Sequence, residues 1–249
     1  MYNRSKLVRF GVTTLATAGY SSEAQERLLR ALAEQLKLPL LQIAREAELA
    51  ATNNDQKALG SISYTADMAL RLVDSYLLSV QLQSLPVLEL EPVSISAVLQ
   101  DTAHRLNQLA KQYDCDLEVH LSGKYGPVMA HRQSLESAFA TLGYAFIESM
   151  PTAENKHKVI LGAHRSAKGL VTGLFGNQEG TSADMYRRGM ALFGTARQPI
   201  PTLSPQSGAG VFVAESLLKN MDATLQVSRH NKLSGLAVTL IQSQQLQLV

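Results

Sequence analysis

Apolar residues recur with helical spacing along the first third of the chain. Leu28, Leu32, Leu36, Leu40 and Ile43 follow one another at steps of four and three, which places them on one face of a helix. Pro39 interrupts this stretch. It has no N–H for the carbonyl four residues back, so a kink or local opening, held by neighbouring helices, is expected there. Ser21 or Ser22 is placed to cap the helix, and Glu23 and Glu26 in its first turn suit the positive end of the helix dipole. The pattern continues through Ala44, Ala47 and Ala51 to a turn at Thr52–Asp55. A second stripe, Ile62, Ala66, Leu70, Val73, Leu77 and Val80, runs towards Ser84–Pro86. Two long helices joined by a short turn form an antiparallel hairpin with more apolar surface than it can bury alone. Either the rest of the chain or a second copy must cover that surface, and the expectation is a homodimeric four-helix bundle.

The pattern changes at residues 86–92, where Leu-Glu-Leu-Glu-Pro reads as a hinge. A helix starting at Ser94 buries Ile95, Val98, Leu99, Leu106 and Leu109. Period two then takes over, with Leu117, Val119 and Leu121 alternating with Asp116, Glu118 and His120, the signature of a half-exposed strand. Val128 and Met129 suggest a short partner strand for it. A further helix carries Leu135, Ala138, Phe139, Leu142 and Phe146 and stops before Pro151. Strands at 158–163 and 170–175 read as a hairpin, followed by a short helix near 183–193 and a long loop at 194–210 with three prolines. A helix at 211–220 and strands at 224–228 and 236–241 close the chain. The expected fold class is α+β: an N-terminal arm (1–21), a dimerisation hairpin (22–86), and a two-layer domain (87–249) with helices on one face of a mostly antiparallel sheet.

Composition narrows the function. The 249 residues carry 23 basic and 21 acidic side chains, a net charge of +2, which gives no electrostatic reason to expect a nucleic-acid partner. The single cysteine, Cys115, excludes an intramolecular disulfide and a cysteine-rich metal site, and reads as an inert strand residue. No apolar run approaches the ~20 residues of a membrane span. The first twenty residues loosely mimic a signal peptide. Arg9 splits their apolar patch, however, where a secretory segment needs about 7–15 uninterrupted apolar residues. A cytoplasmic protein is expected. The six histidines, His104, His120, His131, His157, His164 and His230, show no metal-ligand spacing. Arg187, Arg188, Arg197 and Lys219 read as a solvated basic edge.

Taken in order, several segments resemble the catalytic core of a bacterial sensor histidine kinase. Ala31–Ile43, ALAEQLKLPLLQI, resembles the H-box, a histidine and an acidic residue followed by Leu-Arg-Thr-Pro-Leu. Leu70–Gln83 is similar to the end of the second dimerisation helix, and LELEPVSISAVLQDTAHRL to the entry into the ATP-binding domain. Ser207–Val227 resembles the second glycine box with its helix and strand. The resemblance spans roughly residues 22 to 245 and implies a helical hairpin followed by a Bergerat-type ATP-binding domain.

The departures from that pattern set the functional expectation. Glu34 stands where the resemblance places the phosphoacceptor histidine, and Gln35 where it places the acidic base. A carboxylate does not replace an imidazole nitrogen as a phosphoramidate-forming nucleophile, and an amide does not accept the proton. His104, on a polar helix face, would be the surrogate phosphate carrier, but its ordinary reading is a surface residue. Ala145 falls at the magnesium-holding asparagine and Gly176 at the adenine-recognising aspartate. Gly208 and Gly210 keep the second glycine box, where backbone can approach phosphates. Tyr144 and Phe146 are candidates to fill the space a nucleotide would take. The expectation is therefore a catalytically inactive, histidine-kinase-like scaffold without bound ATP, magnesium or other cofactor. It would pair with itself and with a response-regulator receiver domain or another histidine kinase. The docking face would lie around Glu34, Lys37, Leu38 and Gln42, as the resemblance implies. A divergent kinase or phosphotransferase using ATP in an altered mode, and an adaptor outside phosphosignalling, are the alternatives.

Overall fold

Two long helices lead the chain. The computed structural model describes residues 13–53, 56–83, 88–149, 157–177, 183–184, 186–188 and 208–243. Helix α1 (Thr13–Asn53) is unbroken across the buried Pro39 and begins well before the expected start. Ser21 and Ser22 therefore lie inside the helix rather than at its cap, because the Ala- and Leu-containing run before them has no breaker stronger than Gly19, worth about 1 kcal/mol. Helix α2 (Gln56–Gln83) packs along α1. Its expected stripe is not the one most deeply buried. Thr65, Met68, Leu72, Ser75, Ser79 and Leu82 are buried, whereas Leu70 and Leu77 are exposed and Ile62, Ala66, Val73 and Val80 are half-buried.

The expected hinge is partly a strand. Glu91–Val93 (β1) pairs antiparallel with Val128–Ala130 (β3), in the register Glu91↔Ala130 and Val93↔Val128. Residues 91 and 92 are thereby held, and β3 pairs with β1 rather than with the strand that precedes it. Met129 N donates to Ile241 O (3.0 Å) and Ser243 N to Pro127 O (2.8 Å), so the segment after the last strand runs along the other side of β3. Ser94 caps α3 (Ile95–Gln112), accepting from Ala97 N, and His131 caps α4 (Arg132–Glu148), its Nδ1 accepting from Ser134 N (3.3 Å).

The main sheet runs β2-β4-β5-β7-β6, where β2 is Cys115–Leu121, β4 His157–Ser166, β5 Gly169–Gly176, β6 Leu225–His230 and β7 Leu233–Leu240. β2 and β4 are parallel, joined through α4 as a parallel pair requires; the other pairs are antiparallel. With α5 (Ala209–Lys219), helices α3 and α4 cover one face, burying Val159, Leu161, Leu174, Leu236 and Val238 against Leu99, Leu106, Phe139 and Leu217. The hairpin joins this layer from outside. α1 meets α5, α2 meets both α4 and α5, and Leu28, Ala31, Met68 and Leu72 enter the same core. The result is the α+β architecture that the alternation of periods three to four and two implied.

Candidate functional site

α4, β5 and α5 bring together four positions singled out in the sequence. Every residue from Ala138 to Ile147 is buried, so α4 is covered on all sides. Ala145 lies on the stripe that also carries Thr141 and Glu148, and offers only a methyl group there. Hard cations need oxygen ligands, and this position has none. Gly176 ends β5. A Cβ built on it would stand 2.8 Å from Phe146 Cε1 and 3.5 Å from Lys158 O. Any side chain at 176 would therefore have to displace the Phe146 ring. Gly208 opens α5 in the left-handed region (φ 78°), which only glycine adopts without strain, and its carbonyl accepts from Phe212 N (3.0 Å). Gly208 and Gly210 are both buried. Residues 189–207, which contain most of the proline-rich loop, lie outside the described residues.

α5 also holds a core carboxylate that sequence reading passed over. Glu215 is 1 % exposed, and its Oε2 accepts from Leu225 N at 2.7 Å, pinning the helix to the start of β6. Burial pushes its pKa up, against the Leu225 hydrogen bond and Lys219, whose Nζ lies 3.9 Å from Oε1.

The H-box-like stretch is split. Lys37 is exposed and Gln42 half-buried, with its side chain beside the Tyr113 phenol at the end of α3. The backbone at Glu34, Gln35 and Leu38 is helical, and their side chains lie outside the described residues.

Gln42 marks the rim of a seam between the hairpin and the α/β domain. Tyr64 on α2 faces Tyr144 on α4, and burial is the main cause raising both phenols, Tyr64 to about 12. Glu148, the last residue of α4, is half-buried beside Tyr64, Tyr113 and Tyr144. Desolvation pushes its carboxyl up to about 7. The buried hydroxyls of Tyr64 and Thr141 have no hydrogen-bond partner among the described residues.

On the opposite face of the sheet, three histidines from three strands converge. His164 Nδ1 lies 3.2 Å from His230 Nδ1, and the His120 ring is 6.2 Å from that of His230, centre to centre. Gly162 gives His230 its room, since a Cβ there would stand 3.1 Å from His230 Cδ2, and Phe175 stacks on its ring at 5.1 Å. The Asn231 amide nitrogen meets His230 Nε2 at 3.3 Å, so neutral His230 carries its proton on Nδ1 and donates to His164. Desolvation, then His164 and His120, lower the His230 pKa. Glu118 bridges Lys158 (2.7 Å) and His120 (2.7 Å), and the Lys158 bond is the main cause lowering its carboxyl. Among the described residues, no three His, Cys, Asp or Glu side chains are arranged to hold a metal ion. Alternation pointed His120 outward, whereas His164 and His230 fall just past the expected ends of strands 158–163 and 224–228, which the structure extends to Ser166 and His230. His104 is exposed, and Cys115 is buried, its thiol pushed up to about 11 by desolvation, which suppresses the reactive thiolate.

Solved structures place the fold. The Acinetobacter baumannii histidine kinase AdeS superposes with a TM-score of 0.52 at 14 % identity, over 85 % of this chain and 98 % of that one. A histidine kinase from Burkholderia phymatum matches 92 % of this chain and 99 % of its own at 13 % identity, with a TM-score of 0.44. No family profile matches the chain, and no curated protein does. The chain thus has the fold of a histidine-kinase ATPase-type catalytic domain, and none of its described helices is long and apolar enough to cross a membrane.

Proposed function

We propose that this chain is a catalytically inactive, histidine-kinase-like signalling scaffold that acts in the cytoplasm. The observation that carries the reading is the Phe146 ring packed against Gly176, where a nucleotide-recognising carboxylate would need space. With Ala145 also lacking an oxygen ligand, the residues present do not fit magnesium–nucleotide. Glu34 and Gln35 add a hairpin without a phosphoacceptor imidazole or an acidic base. Calorimetric titration of the protein with magnesium-ATP tests the reading. No heat up to millimolar nucleotide is expected, whereas a micromolar Kd overturns it.

The scaffold works as a homodimer through the hairpin. Leu70 (62 % exposed), Leu40 (57 %), Leu41 and Leu77 leave an apolar surface on both helices of a single chain, the kind of surface a four-helix bundle closes. Leu70→Glu should shift the mass measured by light scattering from dimer to monomer. The α1 surface around Glu34, Lys37, Leu38 and Gln42 receives a response-regulator receiver domain or another histidine kinase. Leu38→Arg should weaken that capture at least tenfold, about 1.4 kcal/mol. Unchanged capture moves the docking face elsewhere, and no affinity for any receiver leaves an adaptor outside phosphosignalling. One observation favours the alternative of altered nucleotide use: the left-handed Gly208 and the small Gly210 preserve a helix start that backbone phosphate binding can exploit.

A further inference from the structure

Most polar groups buried in this protein are answered locally: Thr102 returns to Val98 O, Ser216 to Phe212 O, and Glu215 to Leu225 N. The seam between the hairpin and α4 gathers two that are not. Thr141, Ala145 and Glu148 follow at steps of four and three along α4, with Tyr144 beside them, and this stripe meets α2 at Tyr64. Neither the Tyr64 nor the Thr141 hydroxyl finds a partner among the described residues. Glu148 makes no hydrogen bond or ion pair there either, although a carboxylate is the group that most needs one. It also ends α4, where the helix dipole disfavours negative charge.

The charged and titratable groups around it do not compensate. From α2 it meets Tyr64, and Arg71 on the same helix lies nearer the tyrosines. From α3 it meets Tyr113; Arg105 is near Tyr144 but bonded to Glu136 at 3.1 Å. On α4 itself the neighbour is Tyr144. α1 contributes the neutral Gln42, beside Tyr113. α5, also packed on α4, turns Glu215 towards Leu225 and Lys219.

We infer that the hairpin–α4 seam is a proton-operated clasp: it holds more firmly while Glu148 is protonated and loosens when that carboxyl ionises, letting α2 open more often from the end of α4. Opening hydrates the carboxylate and the unpaired hydroxyls together. The sign follows from burial. The carboxyl titrates at about 7 in the closed seam against its ordinary 4.5, so protons favour closure and rising pH favours opening. Between pH 6 and 8.5 those two values imply a fall of about tenfold in the closing equilibrium. The clasp goes beyond the scaffold reading by giving it an input, since proton concentration, or a cation partner brought to Glu148, would set how the two halves are presented.

Hydrogen exchange on the full chain at pH 6 and 8.5, corrected for intrinsic rates, reads the clasp without nucleotide or any receiver. Protection of amides in 64–72 and 141–148 should fall about tenfold more in the wild type than in Glu148→Gln, while amides of β4 and β5 stay unchanged in both. An identical pH response in wild type and variant overturns the proposal, as does a wild-type seam insensitive to pH. Should Glu148→Gln not fold, Tyr64→Phe serves instead. It removes an unpaired hydroxyl, so protection should rise at both pH values while the tenfold pH difference persists, and loss of that difference sinks the clasp. Neither result bears on ATP binding or receiver capture, so the scaffold reading fails or survives separately.

Discussion

The two faces of the α/β domain each gather titratable side chains, and they treat them in opposite ways. On the outer sheet face the groups answer one another: His230 with His164 and Asn231, Glu118 with Lys158 and His120. Along the helical seam Tyr64, Thr141 and Glu148 are left without partners among the described residues. Burial pushes His230 on the outer face and Glu148 in the seam towards their neutral forms, but one is a base and the other an acid, so their pH dependences run in opposite directions. The lesson is that the outer face is built within the domain's own sheet, whereas the seam lies where the hairpin packs onto that domain.

The sharpest way to break the outer face is to remove the platform beneath His230. Phe175→Ala should lower stability by about 3–5 kcal/mol in urea unfolding, because Phe175 is fully buried and its ring carries the histidine. The seam responds the other way. Glu148→Gln should raise stability by about 1–3 kcal/mol at pH 8 and leave it unchanged near pH 4.5, since the raised carboxyl favours folding below 4.5 and loses that contribution as pH rises through about 7. Tyr64→Phe should stabilise by about 1 kcal/mol at every pH below the phenol range, by deleting a buried hydroxyl that nothing accepts. The smallest effect belongs to His230. Its lowered pKa contributes stability that is present above the ordinary 6.5 and fades as pH falls below it, and His230→Gln should flatten that acid limb of the thermal midpoint. If both clusters drove stability in the same direction with pH, the contrast between them would collapse.

Much of the fold was legible because period and burial agreed. Ser94 caps the helix that the pattern predicts, and the alternation from Leu117 to Leu121 is a strand with its polar set outward. α2 shows where period misleads. Its cleanest apolar stripe is left partly exposed, while the buried stripe carries hydroxyls that read as polar. Thr65 and Ser75 can go inside because they return hydrogen bonds to Ser61 O (2.9 Å) and Arg71 O (2.8 Å), which a hydropathy pattern does not register. The three-residue β1 and β3 were too short for alternation to assign partners. At the candidate site, Ala145 and Gly176 stood out only through the resemblance, and both are simply small residues to a physical reading. What gives Gly176 its meaning is Phe146, thirty positions earlier on another element, a contact that no local pattern contains.

The strip formed by β1, β3 and residues 241–243 has a mechanical consequence. From Glu91 to Val93 the chain is stitched to β3 by three antiparallel pairs, and the segment following β7 is stitched to the other side of β3. Such a strip resists sliding far better than peeling. A load arriving at β1 would therefore pass through β3 and residues 241–243 to the end of the central sheet, and the strip would act as a keyed joint rather than a loose thread.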